Sequence, residues 1–305
     1  MKNNSKKSSM NQLQKNQRIT GYFFILPSLA LCFIFMLIPL FDVIRYSFTD
    51  WDGLSKGYSY VGFQNYLHLH ELEGFNEMMI ATVTFAVGVT VITVLVAFLA
   101  ALALDKKGRG RLPRGLMRAL WFFPALLSGA VVGILWRIMY NYQNGVINTI
   151  ITSVGLSKVN WLETRVVTNI AIIIGAAWIQ IGLCVVVFLA GLQSIPTDLY
   201  EAAAIDGATP RQQLKHITIP MMASSITINV ITTTIAGFKA YELPYLISNG
   251  LPGHSTLLLT QRINFLGFQA YDYGRGSALS VVLLIIIALI SLVQLIVLRK
   301  REDIF

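Results

Sequence analysis

Long apolar runs broken by short polar and basic segments dominate this chain. No Asp, Glu, Lys or Arg occurs in residues 19–41, 78–104, 119–136, 166–197, 216–238 or 276–298. A helix needs about 20 residues to cross the hydrocarbon of a bilayer, where its backbone polar groups must be satisfied internally. Five windows are long enough. The 119–136 window is extended by Gly115, Leu116 and Met117 around Arg118, whose stem can carry its charge to the interface. The pattern predicts six membrane spans, at about 20–41, 78–104, 116–140, 167–192, 217–238 and 277–298. The expected fold class is an all-α polytopic membrane protein. Residues 1–20, rich in Asn, Gln, Ser and Lys, read as a disordered tail, and 21–305 as one membrane domain.

Composition agrees with the pattern. The chain of 305 residues is 55% hydrophobic and 13% charged, against roughly 25% charged in soluble domains. Charge then orients the spans, because Lys and Arg accumulate on the cytoplasmic side. The side holding both predicted termini and the 105–118 and 193–216 loops carries 16 of the 24 Lys and Arg, and the other side carries 8. Both termini are therefore expected in the cytoplasm of a multi-pass membrane protein. The net charge of +9 suits contact with anionic lipid. No aromatic-interleaved basic patch points to nucleic acid.

The 193–216 loop is polar yet rich in helix signals. Thr197 can cap a helix whose first turn holds Asp198 and Glu201. Ala202, Ala203 and Ala204 favour helix, and Gly207 can take the left-handed stop. Thr209, Pro210 and Gln212 read as cap, first-turn proline and capping-box partner. Pro220 is expected to break the second helix near the membrane. The result is a helix-turn-helix hairpin with a small, Ala-rich face.

Glu201 to Pro220 resembles the EAA loop of permease subunits in bacterial ATP-driven (ABC) importers: Glu201, Ala202, Ala203, Gly207, Ile219 and Pro220 stand at the family's spacing. The Gly191-Leu192-Gln193, Ile195-Pro196 and Tyr200–Ala203 series is similar to the carbohydrate branch. So are Ser47-Phe48 with Val61–Tyr66 in the first outer loop. Asn249-Gly250-Leu251-Pro252 with Thr256 departs from that branch only at Leu251. The resemblance covers roughly residues 20–300 and implies a maltose-type permease, of the first type in its pair. It implies that Glu201, Ala202, Ala203, Asp206 and Gly207 contact a separate ATPase. It also implies a second permease, two ATPase subunits holding ATP and Mg, and an extracellular solute-binding protein. This chain itself is expected to hold no cofactor and to be no enzyme, since it lacks a phosphate-binding Gly-rich loop.

In the resembling family the sugar passes near mid-membrane between spans 3, 4 and 5. The candidates on this path are Ser128, Gln180, Asn229, Thr233, Gly237 and Tyr241. The last four recur every four residues and would share one helix face. Such a stripe suits a neutral polyol, although it could equally pack against a neighbouring helix. No metal-ligand spacing is present: His68 and His70 lack a third ligand, and Cys32 and Cys184 lie within spans as packing residues. Another solute, such as glycerol phosphate or a polyamine, is the alternative cargo. An ion-coupled transporter working alone is the alternative class, but it would want carboxylates inside its spans, and these are lacking.

Overall fold

The computed structural model describes residues 22–105, 114–252 and 255–302. The 1–20 tail and most of the basic turn after span 2 lie outside them. Every regular element among the described residues is helical, apart from an isolated antiparallel bridge between Thr49 and Tyr60.

Four helices cross as single pieces: span 1 at Tyr22–Tyr46, span 2 at Phe75–Asp105, span 4 at Arg165–Gln193 and span 6 at Tyr273–Arg299. The other two expected spans are each broken. Span 3 divides into Gly115–Leu126 and Gly129–Met139, bent by 97°. Span 5 divides into Pro210–Met221 and Ala223–Phe238, bent by 64°. The six expected membrane helices thus appear as four single helices and two bent pairs.

The local causes are visible. Pro124 starts a short 3-10 turn, Phe123–Leu126, and Leu127 and Ser128 are then fully extended. The Ser128 hydroxyl accepts the Val131 N–H at 3.3 Å and so restarts the helix as its cap. Span 5 behaves differently from its expected stop at Pro220. A π-helical turn at Leu214–Thr218 leads into the Pro220 turn, and the chain bends only at Met222. A wider turn tolerates a proline that lacks the N–H of a normal ladder.

Spans 2 and 4 form the centre. Small residues on both, including Ala97, Ala101, Ala171, Ala176 and Ala177, are buried. Small side chains let membrane helices approach closely, where dispersion rather than the hydrophobic effect drives packing. One core cluster joins the C-terminal halves of spans 2 and 4 to Ile195 and Met222. A second joins their N-terminal halves to Val132, Tyr140, Leu243 and Ile247. A third packs span 6 against Leu69, Ala86 and Phe238. Span 1 stands apart: none of its central window is buried within this chain.

The loop between spans 1 and 2 is tied by one buried amide. Asn65 Nδ2 donates to the carbonyls of Ser47, at 3.0 Å, and Thr49, at 2.8 Å. Tyr66 and Ser47 share a hydroxyl hydrogen bond of 2.6 Å. The Ser47-Phe48 and Val61–Tyr66 segments are therefore two sides of one turn.

Candidate functional site

The polar loop between spans 4 and 5 is a hairpin. Its first helix runs Thr197–Ile205 and its second begins at Pro210. Thr197 is the first helical residue and not the cap, which is Pro196 in extended conformation with no side-chain hydrogen bond. This is a correction with a simple origin. Proline is preset to an extended-compatible φ, so Pro196 takes the cap position and the helix starts one residue earlier than the hydroxyl suggested.

The first helix ends as its sequence predicts. Gly207 has φ +79°. Its N–H donates to Ala204 at 3.1 Å and the Ala208 N–H donates to Ala203 at 2.9 Å. These two bonds are the paired closure of a left-handed helix stop. Thr209 and Gln212 then cap the second helix reciprocally. No atom lies within 4 Å of a Cβ placed on Gly207, so its constraint is purely backbone.

The hairpin has a rigid base and a bare tip. Ile195 is buried, and Tyr200 packs on the first core cluster. The Tyr200 hydroxyl shares a 2.9 Å hydrogen bond with Thr218, and Thr218 donates to the Gln213 carbonyl at 3.4 Å. These anchors escaped sequence reasoning. Tyr200 was legible only as part of a motif, and Thr218 read as one of many span hydroxyls. Glu201, Ala202, Asp206 and Gly207 are exposed, and Ala203 is half-buried. Ile205, an apolar side chain at the tip, is 87% exposed. A small, partly apolar, solvent-facing knob on a core-anchored base can receive a push from a partner and pass it to spans 4 and 5.

The six path candidates are not brought together. Asn229 is buried and donates to the Cys184 carbonyl of span 4 at 3.3 Å. Thr233 is buried and bonds back to the Asn229 carbonyl at 2.6 Å. Gly237 meets span 2, where a Cβ would lie 2.9 Å from Ala86 Cα. These three serve helix packing. Tyr241 falls after the helix ends at Phe238 and precedes a separate short helix, Glu242–Ser248. The four-residue stripe therefore stops at Gly237.

A different set converges. A cleft of about 370 Å³ lies beside the break in span 3. Gly129, Gln180, Lys239, Tyr241 and Glu242 are among its lining residues. Ser128 is exposed next to Gly129. Tyr241 donates to Asn264 Oδ1 at 3.1 Å and stacks on Tyr245 with centroids 5.6 Å apart. Burial, helped by Tyr245 and Glu242, pushes the Tyr241 hydroxyl above its ordinary pKa. Lys239 and Glu242 were missed. The signal for them was two charges of opposite sign just past the C-terminal end of span 5. Among the described residues no group of three or more His, Cys, Asp or Glu could hold a metal.

Residues 94–302 match the family of binding-protein-dependent transport system inner membrane components, and the chain belongs to it. It is 33% identical over 303 residues to the trehalose/maltose transport system permease MalF of Thermococcus litoralis, covering 96% of this chain and 98% of that one. It is 32% identical to a probable starch degradation products permease, AmyD, of Thermoanaerobacterium thermosulfurigenes, covering 92% and 94%. A bacterial ABC transporter involved in import of the acidic polysaccharide alginate shares the fold, with a TM-score of 0.79 at 22% identity, covering 95% and 99%. The chain is a membrane permease subunit and not an enzyme.

Proposed function

We propose that this chain is the membrane-spanning permease of an ATP-driven importer that carries a neutral oligosaccharide into the cytoplasm. The hairpin geometry supports the coupling half of this reading: an exposed tip at Glu201–Gly207 stands on a base locked into spans 2 and 4. ATP and Mg act on two separate ATPase subunits that receive this tip. A second permease completes the path, and an extracellular binding protein delivers solute to the outer face. The cleft, with an amide, a tyrosine stack and one charge of each sign, supports the sugar half. Sugars are held by hydrogen bonds to their hydroxyls and by stacking on aromatic faces.

Two measurements test this reading. The complex, purified with its partner subunits and reconstituted in proteoliposomes, should show ATP hydrolysis stimulated by binding protein loaded with a neutral oligosaccharide. Absence of both stimulation and uptake across a panel of malto-, cello- and xylo-oligosaccharides would end the sugar reading. Orientation is read separately. A single Cys at Arg211 should react with impermeant thiol reagent only from the cytoplasm, and one at Ser59 only from outside. Labelling of position 211 in intact cells would overturn the orientation.

A further inference from the structure

The cleft beside the span 3 break carries its charges in an unusual arrangement. Among the described residues lining it, two are charged, Lys239 and Glu242. Among the described residues neither of them is in an ion pair. A second positive feature is structural. The 11-residue half-helix Gly129–Met139 starts at the cleft, with Gly129 in the lining. Ser128 accepts only the Val131 N–H, so earlier N–H groups of that end keep their positive polarity. Such an end attracts anions. Here a carboxylate of the chain itself already faces it. A Cβ built on Gly129 would lie 3.3 Å from Glu242 Oε2. Glu242 is held there because its short helix packs against the same half-helix, with Leu243 and Ile247 in one buried cluster with Val132.

We propose that Glu242 determines the charge class of the transported solute: its carboxylate offsets Lys239 and the half-helix end, so the cleft accepts neutral solutes and rejects anionic ones. This rests on the cleft being the solute path. Without the carboxylate the same cleft would carry an ammonium and a bare helix end, the features of an anion site. With it, an entering anionic group meets a like charge at the place it would occupy, while a neutral hydroxyl finds an acceptor. Rejection built from a like charge is a recognised route to specificity.

The field in the cleft can be read without knowing the sugar. In the assembled complex, with Cys32→Ser and Cys184→Ala, the Ala240→Cys thiol would lie in the cleft lining. Its rates with a sulfonate (anionic) and a trimethylammonium (cationic) methanethiosulfonate reagent give a ratio that reports local charge. Removing one charge a few ångströms away corresponds to roughly tenfold in that ratio. Glu242→Gln is expected to raise the anionic-to-cationic ratio about tenfold, Lys239→Gln to lower it, and Glu242→Asp to leave it near the parent value. The Glu242→Gln complex should also accumulate a uronate trisaccharide that the parent excludes, when both are given at millimolar concentration to proteoliposomes. An unchanged ratio in Glu242→Gln, with subunits co-purifying normally, overturns the proposal. So does a thiol that reacts with neither reagent, because a solute path must be open to water-borne solutes. Failure of the parent complex to import any neutral sugar would instead strike the function itself, whatever the ratio shows.

Discussion

The polar hairpin between spans 4 and 5 and the cleft beside the span 3 break are built by opposite means. The hairpin is contiguous: its helix stop, second cap and anchoring tyrosine all lie within Thr197–Thr218. The cleft gathers Gly129 from a broken span, Gln180 from mid-span 4 and Lys239–Glu242 from the turn after span 5. A contiguous device is governed by local backbone energetics, and a gathered one by helix packing. Substitutions should therefore act differently in the two regions, through conformation in the hairpin and through chemistry or assembly around the cleft.

The sharpest break of this contrast is at Gly207. Forcing a β-branched residue to φ +79° costs roughly 1–2 kcal/mol, and the open space around it offers no other cause. Gly207→Val is expected to insert normally yet abolish uptake and sugar-stimulated ATP hydrolysis. Gly207→Asn, which tolerates the left-handed region, should keep much of both. Equal loss in the two variants would show that side-chain bulk, and not backbone, governs the hairpin.

Span 5 and span 4 sharpen the other side. Asn229→Leu removes a buried hydrogen bond to the Cys184 carbonyl, which keeps its own helix partner, at a net cost of about 0.5–1.5 kcal/mol. The yield of assembled complex should fall severalfold while the KM of the surviving complex stays constant. Gln180→Leu should do the reverse, with full yield and uptake reduced severalfold through KM. Identical behaviour of the two would erase the division between packing stripe and cleft.

A smaller effect is expected at Tyr200. Tyr200→Phe deletes the hydrogen bond to Thr218 and keeps the ring in the core. A net loss of about 1 kcal/mol should loosen the base and lower uptake two- to fivefold, while basal ATP hydrolysis stays the same.

The least effect concerns the outer loop. The Asp52 carboxylate accepts from the Ser55 hydroxyl and from the N–H groups of Ser55 and Leu54, which lowers its pKa from 3.8 to about 2. A depressed pKa contributes stability above the unfolded value and loses it as pH falls through the folded one. Trp51 donates to the Ser55 carbonyl in the same turn. Its fluorescence should hold from pH 7 to 4 and change only as pH approaches 2, and Asp52→Asn should remove that transition.

Charge-free windows marked the four long apolar helices and the two bent pairs, and the stop and second cap of the hairpin were legible down to Gly207 and the Thr209–Gln212 pair. Thr197 was misplaced by one residue because a nearby proline competed for the cap. The Asn229–Tyr241 stripe was drawn on an uninterrupted helix that ends three residues before Tyr241. Periodicity places residues on a face but does not say what that face meets. Asn229, Thr233 and Gly237 met spans 4 and 2 and a carbonyl of their own helix.

The sequence by itself determined that this chain is a membrane protein, where its apolar helices and bent pairs fall, and where its polar hairpin turns. Hydropathy, charge and capping act over one turn or one membrane thickness, so single-chain order carries them. Only the tertiary structure decided that spans 3 and 5 bend, that Tyr200 and Thr218 lock the hairpin base, and that Glu242 faces the start of a half-helix more than a hundred residues before it. Those outcomes depend on which helices pack side by side, and in a membrane that choice rests on close contacts between small residues and scattered hydrogen bonds, which no run of neighbours along the chain encodes.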